Sequence, residues 1–309
     1  MSDPRTDGET DAGTDESDPR TDGGVEARVD DSDGLLSDVD LENVGVHAVL
    51  YAVAALFALP YLYMLTVSFQ PRSEAIEAIP HWIPQTFTLE HYQFLFENSL
   101  IVQWTINTFL IAGVATLLIL IADSMIAYAL SRMDWPGQSA ILVIIVASFM
   151  VPYYLNIVPL FTIVANLGLV NSYLGVILPA VASPLGVFML YQFFKDIPEE
   201  YEEAARLDGF SNFQIYTRII LPLSRPVMTA LALFMFVYNW NAFLWPLIVL
   251  QDNASYTLPI GLVSTLNAQI YRPGRTMAMA LLASIPLILV FLVLQRYLVR
   301  AVELQGVTE

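Results

Sequence analysis

Few side chains in this sequence have the types and spacing needed for covalent or metal chemistry. His47, His81 and His91 are the only histidines, none has a second histidine four residues further on, and the chain has no cysteine. A metal site, a thiol nucleophile and a disulfide are therefore not expected. The single lysine, Lys195, follows two phenylalanines, so no GxxxxGK[ST] phosphate-binding loop exists. We expect no catalytic residue, no bound cofactor or metal, and no ATP hydrolysis by this chain.

Asp123 stands out because it interrupts a long apolar stretch that is otherwise uncharged from Asn98 to Ser131. An ionisable residue inside a membrane helix is a functional hypothesis by default. A proton relay through Asp123 predicts a secondary transporter. The simpler interpretation is an Asp that faces the helix bundle, neutral or bonded to neighbouring Ser or Tyr hydroxyls. We favour this second interpretation because there is no second buried acid or base to relay to.

The composition indicates that the elements positioning these residues cross a membrane. Hydrophobic residues make up 56% of the 309 residues, charged residues only 14%, and the mean hydropathy is +0.58. The formal net charge of -17 excludes nucleic-acid binding on electrostatic grounds. The first 43 residues hold 15 of the 30 acids and few large apolar side chains. We predict that residues 1–43 form a disordered acidic tail, because they cannot bury enough surface to fold.

The lengths of the uncharged runs predict six membrane spans. A helix needs about 20 apolar residues to cross the hydrocarbon core. The 60 uncharged residues from Trp135 to Phe194 are long enough for two crossings, with turn signals around Gly168 and Ser172. The predicted fold is all-α and integral to the membrane, with a six-helix domain over residues 44–309 whose spans lie near residues 46–68, 103–130, 139–158, 173–194, 226–250 and 277–295.

The distribution of Lys and Arg predicts the orientation of the chain. With the N-terminus inside, ten basic residues lie in predicted cytoplasmic segments, and only Arg72, Arg272 and Arg275 lie in outer loops. We therefore expect a multi-pass protein of the plasma membrane with both termini in the cytoplasm. The loop of about residues 196–225 is expected on the same side.

That predicted cytoplasmic loop carries the most informative pattern in the chain. Acids gather after Pro198, two alanines follow, Gly209 can turn freely, and an apolar series continues to Pro222. This pattern predicts two short helices joined at Gly209, the second stopped by Pro222, in a compact knob suited to docking. The alternative is an ordinary amphipathic loop between two spans.

The loop resembles the EAA signature of the membrane subunits of ABC importers, with every defining position present. In that family the loop forms a coupling helix that sits in a cleft of the ATP-binding subunit. Small alanines permit close helix approach, Glu203 offers an anchor charge, and Gly209 sets the angle between the two halves. The resemblance implies this coupling role for Glu203, Ala204, Ala205, Asp208, Gly209, Ile219, Leu221 and Pro222.

The resemblance covers about residues 46–300 and is greatest to the smaller permease of maltose-type importers, which implies a type I ABC importer permease fold. Two departures are Asp123, where the family usually has a small or weakly polar residue, and residues 301–309, which lack the usual Gly-Ala-Val-Lys-Gly ending. The similar stretches are Trp82–Pro84, Thr88–Tyr92, Ala127–Met133, Trp135–Gly137 and Trp240-Asn241.

The resemblance implies a function and a set of partners. The chain is expected to be the permease subunit of an importer that moves a sugar or oligosaccharide by alternating access. The implied partners are a second permease in a heterodimer, two ATP-binding cassette subunits that hold ATP and magnesium, an extracellular substrate-binding protein, and the lipid bilayer. The alternatives are import of another solute, such as glycerol phosphate or a polyamine, and a proton-coupled carrier using Asp123.

Candidates for the substrate pathway lie in the fifth predicted span. Sugars are bound by aromatic faces and amides within apolar cavities, and Asn239, Trp240, Asn241 and Phe243 combine these groups. Asn239 and Phe243 are four residues apart and are expected to share a helix face. The alternative interpretation is packing between subunits together with an aromatic belt.

Overall fold

The structure is a computed structural model that describes residues 41–76, 81–266 and 272–305. Residues 1–40 of the predicted acidic tail lie outside the described residues, and Leu41–Asn43 already belong to the first helix. The described helices are α1 (Leu41–Ser68), α2 (Arg72–Ala75), α3 (Glu90–Asn98), α4 (Ile101–Arg132), α5 (Gln138–Ser148), α6 (Ile157–Asn166), α7 (Tyr173–Ile177), α8 (Pro184–Asp196), α9 (Glu200–Leu207), α10 (Asn212–Ile215), α11 (Leu221–Leu223), α12 (Arg225–Trp240), α13 (Leu244–Val249), α14 (Leu258–Leu266) and α15 (Pro273–Gln305).

The boundary between two compact units falls between Leu56 and Phe57, within α1. The packing described below lies in the unit that begins at Phe57. Its central helix is α4, which packs most extensively against α8 and α12, while α12 also packs on α15. The architecture of the described residues is all-α, as predicted.

By length and composition, three single helices in the described part of the chain can cross a membrane: Gly45–Ser68, Ile101–Arg132 and Pro273–Val293. Three bent helix pairs bring the number to six if each pair is one span. The count reaches the predicted six only if each bent pair is one span, and the third pair, Asn212–Leu223 with Arg225–Trp240, begins inside the loop of about residues 196–225 that was expected in the cytoplasm.

The third predicted span, residues 139–158, is wrong as a single helix. Helix α5 ends at Ser148, and the chain bends by 99° before the helical segment Tyr153–Asn166. Pro152 lies at this bend. Proline lacks the N–H that would continue the helix and disfavours helical backbone in the residue before it, which explains the break.

The fifth predicted span, residues 226–250, is also interrupted. Helix α12 ends at Trp240, and α13 begins only at Leu244. Asn239 and Phe243 therefore do not share a helix face, contrary to expectation. Pro246 accounts for the interruption, because proline is tolerated in the first turn of a new helix but not in the interior of a continuing one.

Candidate functional site

The EAA loop, here the segment 197–224 between α8 and α12, folds as two helical segments around Gly209. Acidic side chains occupy the first turn of α9, where the helix dipole favours them. At its C-terminus the Gly209 amide donates to the Arg206 carbonyl (3.0 Å) and the Phe210 amide to the Ala205 carbonyl (3.0 Å), which is a Schellman motif. Gly209 has a φ of 80°, the left-handed conformation that this motif requires.

The second helical segment of the loop continues through Pro222 rather than stopping there. Ser211 and Gln214 form a capping box at its start, a π-helical turn follows at Tyr216–Ile220, and α11 runs to Leu223. The prediction that Pro222 ends the helix is wrong. A proline ring normally clashes with the carbonyl four residues earlier, and the wider π turn changes the backbone geometry at that position. The chain instead bends by 77° between this segment and α12.

The structure divides the predicted coupling residues between an exposed face and a buried one. Ala205 is buried, and Ile219 and Leu221 pack partly buried against the same apolar core, with Pro222 half-buried. Leu207 is 90% exposed and Phe213 66% exposed. Six of the exposed residues of the EAA loop are called its exposed face below: Glu203, Ala204, Leu207, Asp208, Gly209 and Phe213.

A buried ion pair anchors the loop to α4, and sequence reasoning did not identify it. The Glu202 carboxylate lies 3.3 Å from Arg132 Nε, with the two side chains only 8% and 4% exposed. Arg206 approaches the other Glu202 oxygen at 3.6 Å. Glu202 and Ala205 are three residues apart and so share the inward face of α9, whereas Glu203 is exposed. The sequence feature that could have pointed to this ion pair is Arg132, a lone basic residue in the last turn of α4.

Arg132 also binds the end of α8. Its Nη2 donates hydrogen bonds to the backbone carbonyl oxygens of Phe194 and Ile197. These carbonyls lie at the C-terminus of α8, where a positive charge is favourable. One side chain therefore contacts α8 and α9 together.

Two further hydrogen bonds join α4 to the second half of the EAA loop. The Tyr128 hydroxyl donates to the Asn212 carbonyl (3.2 Å), and the Ser124 and Tyr216 hydroxyls are hydrogen-bonded at 2.8 Å. Tyr128 and Tyr216 are both buried in the apolar core that α4, α8 and the loop share. Both halves of the loop are thus fastened to the end of α4.

Asp123 lies at the N-terminus of α8 and is fully buried. Its Oδ1 accepts a hydrogen bond from the Ser183 backbone N–H (3.0 Å), and Ser183 is the N-cap of α8. The expected partners were Ser or Tyr hydroxyls, so this part of the prediction is corrected. The reason is the 41° bend between the helical segments 173–180 and 184–196, which leaves backbone amides unpaired inside a span. A carboxyl oxygen satisfies such an amide.

The candidates for the substrate pathway have different environments. Trp240 is 2% exposed and packs against Phe109 and Phe236, with ring centroids 4.8 and 5.7 Å away. The amides of Asn239 and Asn241 each donate to the carbonyl four residues earlier, at 2.8 Å. Asn241 is exposed, whereas Asn239 and Phe243 are partly buried. Their role in a pathway stays a prediction.

Comparison with known proteins identifies relatives over most of the chain. The family described as binding-protein-dependent transport system inner membrane component matches residues 124–304. The arabinooligosaccharides transport system permease protein AraQ of Halalkalibacterium halodurans is 34% identical over 258 residues, 82% of this chain and 92% of that protein. The diacetylchitobiose uptake system permease protein NgcG of Streptomyces coelicolor is 32% identical over 261 residues, covering 83% and 86%.

A solved structure shares the fold. It is that of a bacterial ABC transporter involved in the import of the acidic polysaccharide alginate, with a TM-score of 0.75 at 23% identity. The match covers 84% of this chain and 98% of that chain.

Proposed function

The chain belongs to the family of binding-protein-dependent transport system inner membrane components, and from this premise we propose that it is the permease subunit of an ATP-driven importer for a sugar or oligosaccharide. It has the fold of ABC importer permeases. The names of two relatives support a carbohydrate substrate, since one belongs to an arabinooligosaccharide system and the other to a diacetylchitobiose system.

The observation that carries this proposal is the exposed face of the EAA loop. Leu207 and Phe213 present apolar side chains next to the carboxylates of Glu203 and Asp208, on a loop anchored from behind by Arg132 and Glu202. A rigid loop with exposed apolar side chains is suited to binding another protein. The proposed partner at this face is an ATP-binding cassette subunit, and the loop is its coupling element.

The complete assembly in this proposal contains two permeases, this chain and a homologous second subunit, and two ATP-binding cassette subunits. ATP and magnesium bind to the cassette subunits, and this chain hydrolyses nothing itself. An extracellular binding protein delivers the sugar. The EAA loop and both termini face the cytoplasm, because Arg132, Lys195 and Arg206 lie on that side under the positive-inside rule.

Transport in this assembly proceeds by alternating access. Closure of the cassette subunits on ATP moves the two EAA loops together and opens the pathway outward, and hydrolysis restores the inward-open state. Such coupling requires that ATP and the loaded binding protein bias the same two-state element. Asn239, Trp240, Asn241 and Phe243 remain the proposed positions for the pathway.

The test is the ATPase rate of the complete assembly in proteoliposomes, with and without sugar-loaded binding protein. We expect loaded binding protein to stimulate hydrolysis and labelled sugar to accumulate inside. Stimulation by a phosphorylated polyol or a polyamine, with no response to mono- or oligosaccharides, would assign another solute. Uptake that ignores ATP and follows a proton gradient would overturn the proposal.

A further inference from the structure

Helix α4 contacts both ends of α8 through two polar side chains. Asp123 lies at the N-terminus of α8, where it accepts the Ser183 amide. Arg132, further along α4, donates to the carbonyls of Phe194 and Ile197 at the C-terminus. The two helices therefore run parallel: the Asp123 carboxyl group pairs an amide at the N-terminus of α8, and the Arg132 charge complements the helix dipole at its C-terminus. This arrangement makes α4 and α8 one tightly joined pair.

The connection from α8 to α9 is the place where the EAA loop could swing independently of this pair. It consists of residues 197–199, and Ile197 has an extended backbone (φ -74°, ψ 128°). A short connection that leaves the helical conformation is the usual place for a hinge. Motion of α9 about this connection would leave α8 in place.

The Arg132 side chain crosses this connection. It binds Phe194 before the connection, Ile197 within it and Glu202 beyond it. A planar guanidinium can donate to two carbonyls from one nitrogen while its charge lies 3.3 Å from a carboxylate, whereas a lysine ammonium is a compact point charge. The site is buried, so removing Glu202 leaves the Arg132 charge without a carboxylate, and removing Arg132 leaves Glu202 with only the half-exposed Arg206 at 3.6 Å.

We propose that Arg132 is the positioning residue that makes α4, α8 and α9 move as one body, so that displacement of the EAA loop is transmitted to the membrane-spanning helices. This inference rests on the proposed function, because the partner ATPases supply the displacement. Without Arg132, α9 follows the ATPases while α8 lags behind. The assembly then hydrolyses ATP without moving its substrate efficiently.

The first test measures sugar uptake and ATP hydrolysis together in proteoliposomes of the complete assembly. The variants are Arg132→Lys, which keeps the positive charge but not the planar guanidinium, and Glu202→Gln, which keeps the shape of the side chain but not its charge. The matched controls are Lys195→Met and Glu199→Gln, which change exposed charges just before the connection and within it.

We expect Arg132→Lys and Glu202→Gln to hydrolyse ATP but to import about tenfold less sugar per ATP, a ratio within the usual range of allosteric coupling. The double variant should be no worse than the more affected single variant, since both act on one contact. The controls should keep the wild-type ratio. An unchanged ratio of sugar imported to ATP hydrolysed in both variants would contradict the proposal, even if uptake and hydrolysis both fall.

The second test does not depend on transport or on the identity of the substrate. Because the chain has no native cysteine, spin labels can be placed on cysteines at Gln192 of α8 and Glu200 of α9, both exposed. In the complete assembly we expect one narrow distance distribution that ATP does not change, and a broad or ATP-dependent one in Arg132→Lys. A wild-type distance that changes with ATP overturns the inference. A wild-type assembly that imports no sugar, but keeps the narrow distribution, contradicts only the proposed substrate.

Discussion

The Asp123 carboxylate accepts a hydrogen bond of 3.0 Å from the backbone N–H of Ser183, across 60 residues of sequence. This contact pairs a backbone amide at the break between α7 and α8 and gives a structural reason for an acid inside an apolar helix.

Asp123→Asn should leave ATP-driven uptake largely unchanged. Asparagine has a similar shape and keeps an acceptor oxygen for the Ser183 amide, so the contact at the break between α7 and α8 is retained. The measurement is uptake into proteoliposomes with and without a protonophore. If uptake needs a proton gradient and disappears in Asp123→Asn, the proton-coupled alternative is correct.

Gly186→Ala should destabilise the protein, because a β-carbon at Gly186 would overlap the Asp123 carboxylate and approach Leu231 to 3.3 Å. Forcing extra volume into a packed contact typically costs about 1–3 kcal/mol. The matched control is Gly113→Ala in α4, where a β-carbon meets no described atom within 4 Å. Thermal unfolding in detergent should show a lower midpoint for Gly186→Ala and no lowering of the midpoint for Gly113→Ala. Equal midpoints for the two variants would mean that α4 and α8 are packed less closely at Gly186 than in the structure.

Gly209→Val should abolish ATP-driven uptake while membrane insertion is retained. A β-carbon there meets no described atom within 4 Å, so the penalty comes from the positive φ of 80°, about 1–2 kcal/mol for an L-residue. The backbone at this position relieves the penalty by leaving the positive φ region. This change alters the angle between α9 and α10 and hence the exposed face of the loop. Uptake and the amount of protein in the membrane fraction are the measurements.

Gly168→Val is the control for this effect, since Gly168 also has a positive φ (69°) and open space but follows α6, outside the loop. We expect this variant to keep uptake. Normal uptake by Gly209→Val would remove the loop from the coupling mechanism.

Trp240→Ala and Asn241→Ala should differ in their effects: the first lowers the stability of the protein, and the second leaves stability unchanged and tests a role in transport. Trp240 is buried, so its truncation creates a cavity and costs about 3–5 kcal/mol. Asn241 is exposed, and its replacement should change stability by less than about 0.5 kcal/mol. If Asn241 lines the pathway, its variant raises the KM for sugar with an unchanged unfolding midpoint. An unchanged KM would show that Asn241 is exposed but does not line the substrate pathway.

The sequence alone determined that the chain is helical, that it carries several apolar segments long enough to cross a membrane, and that the EAA loop turns at Gly209. These properties depend on local patterns: the length of an uncharged run sets whether a helix can cross the membrane, and glycine and proline act on the backbone within a few residues. The turn at Gly209 follows from such a pattern. The break at Pro152 also had a local signal in the proline, although the run length alone suggested a continuous helix.

The tertiary structure decided which charges are buried and what they contact. Glu202 and Glu203 are adjacent and identical in type, yet Glu202 is buried against Arg132 and Glu203 is exposed. Arg132 is 70 residues away from Glu202 in the chain, and Asp123 finds its partner only where α8 begins. No local pattern specifies these pairs, because burial depends on how distant helices pack, and a buried charge is stable only where packing supplies its partner.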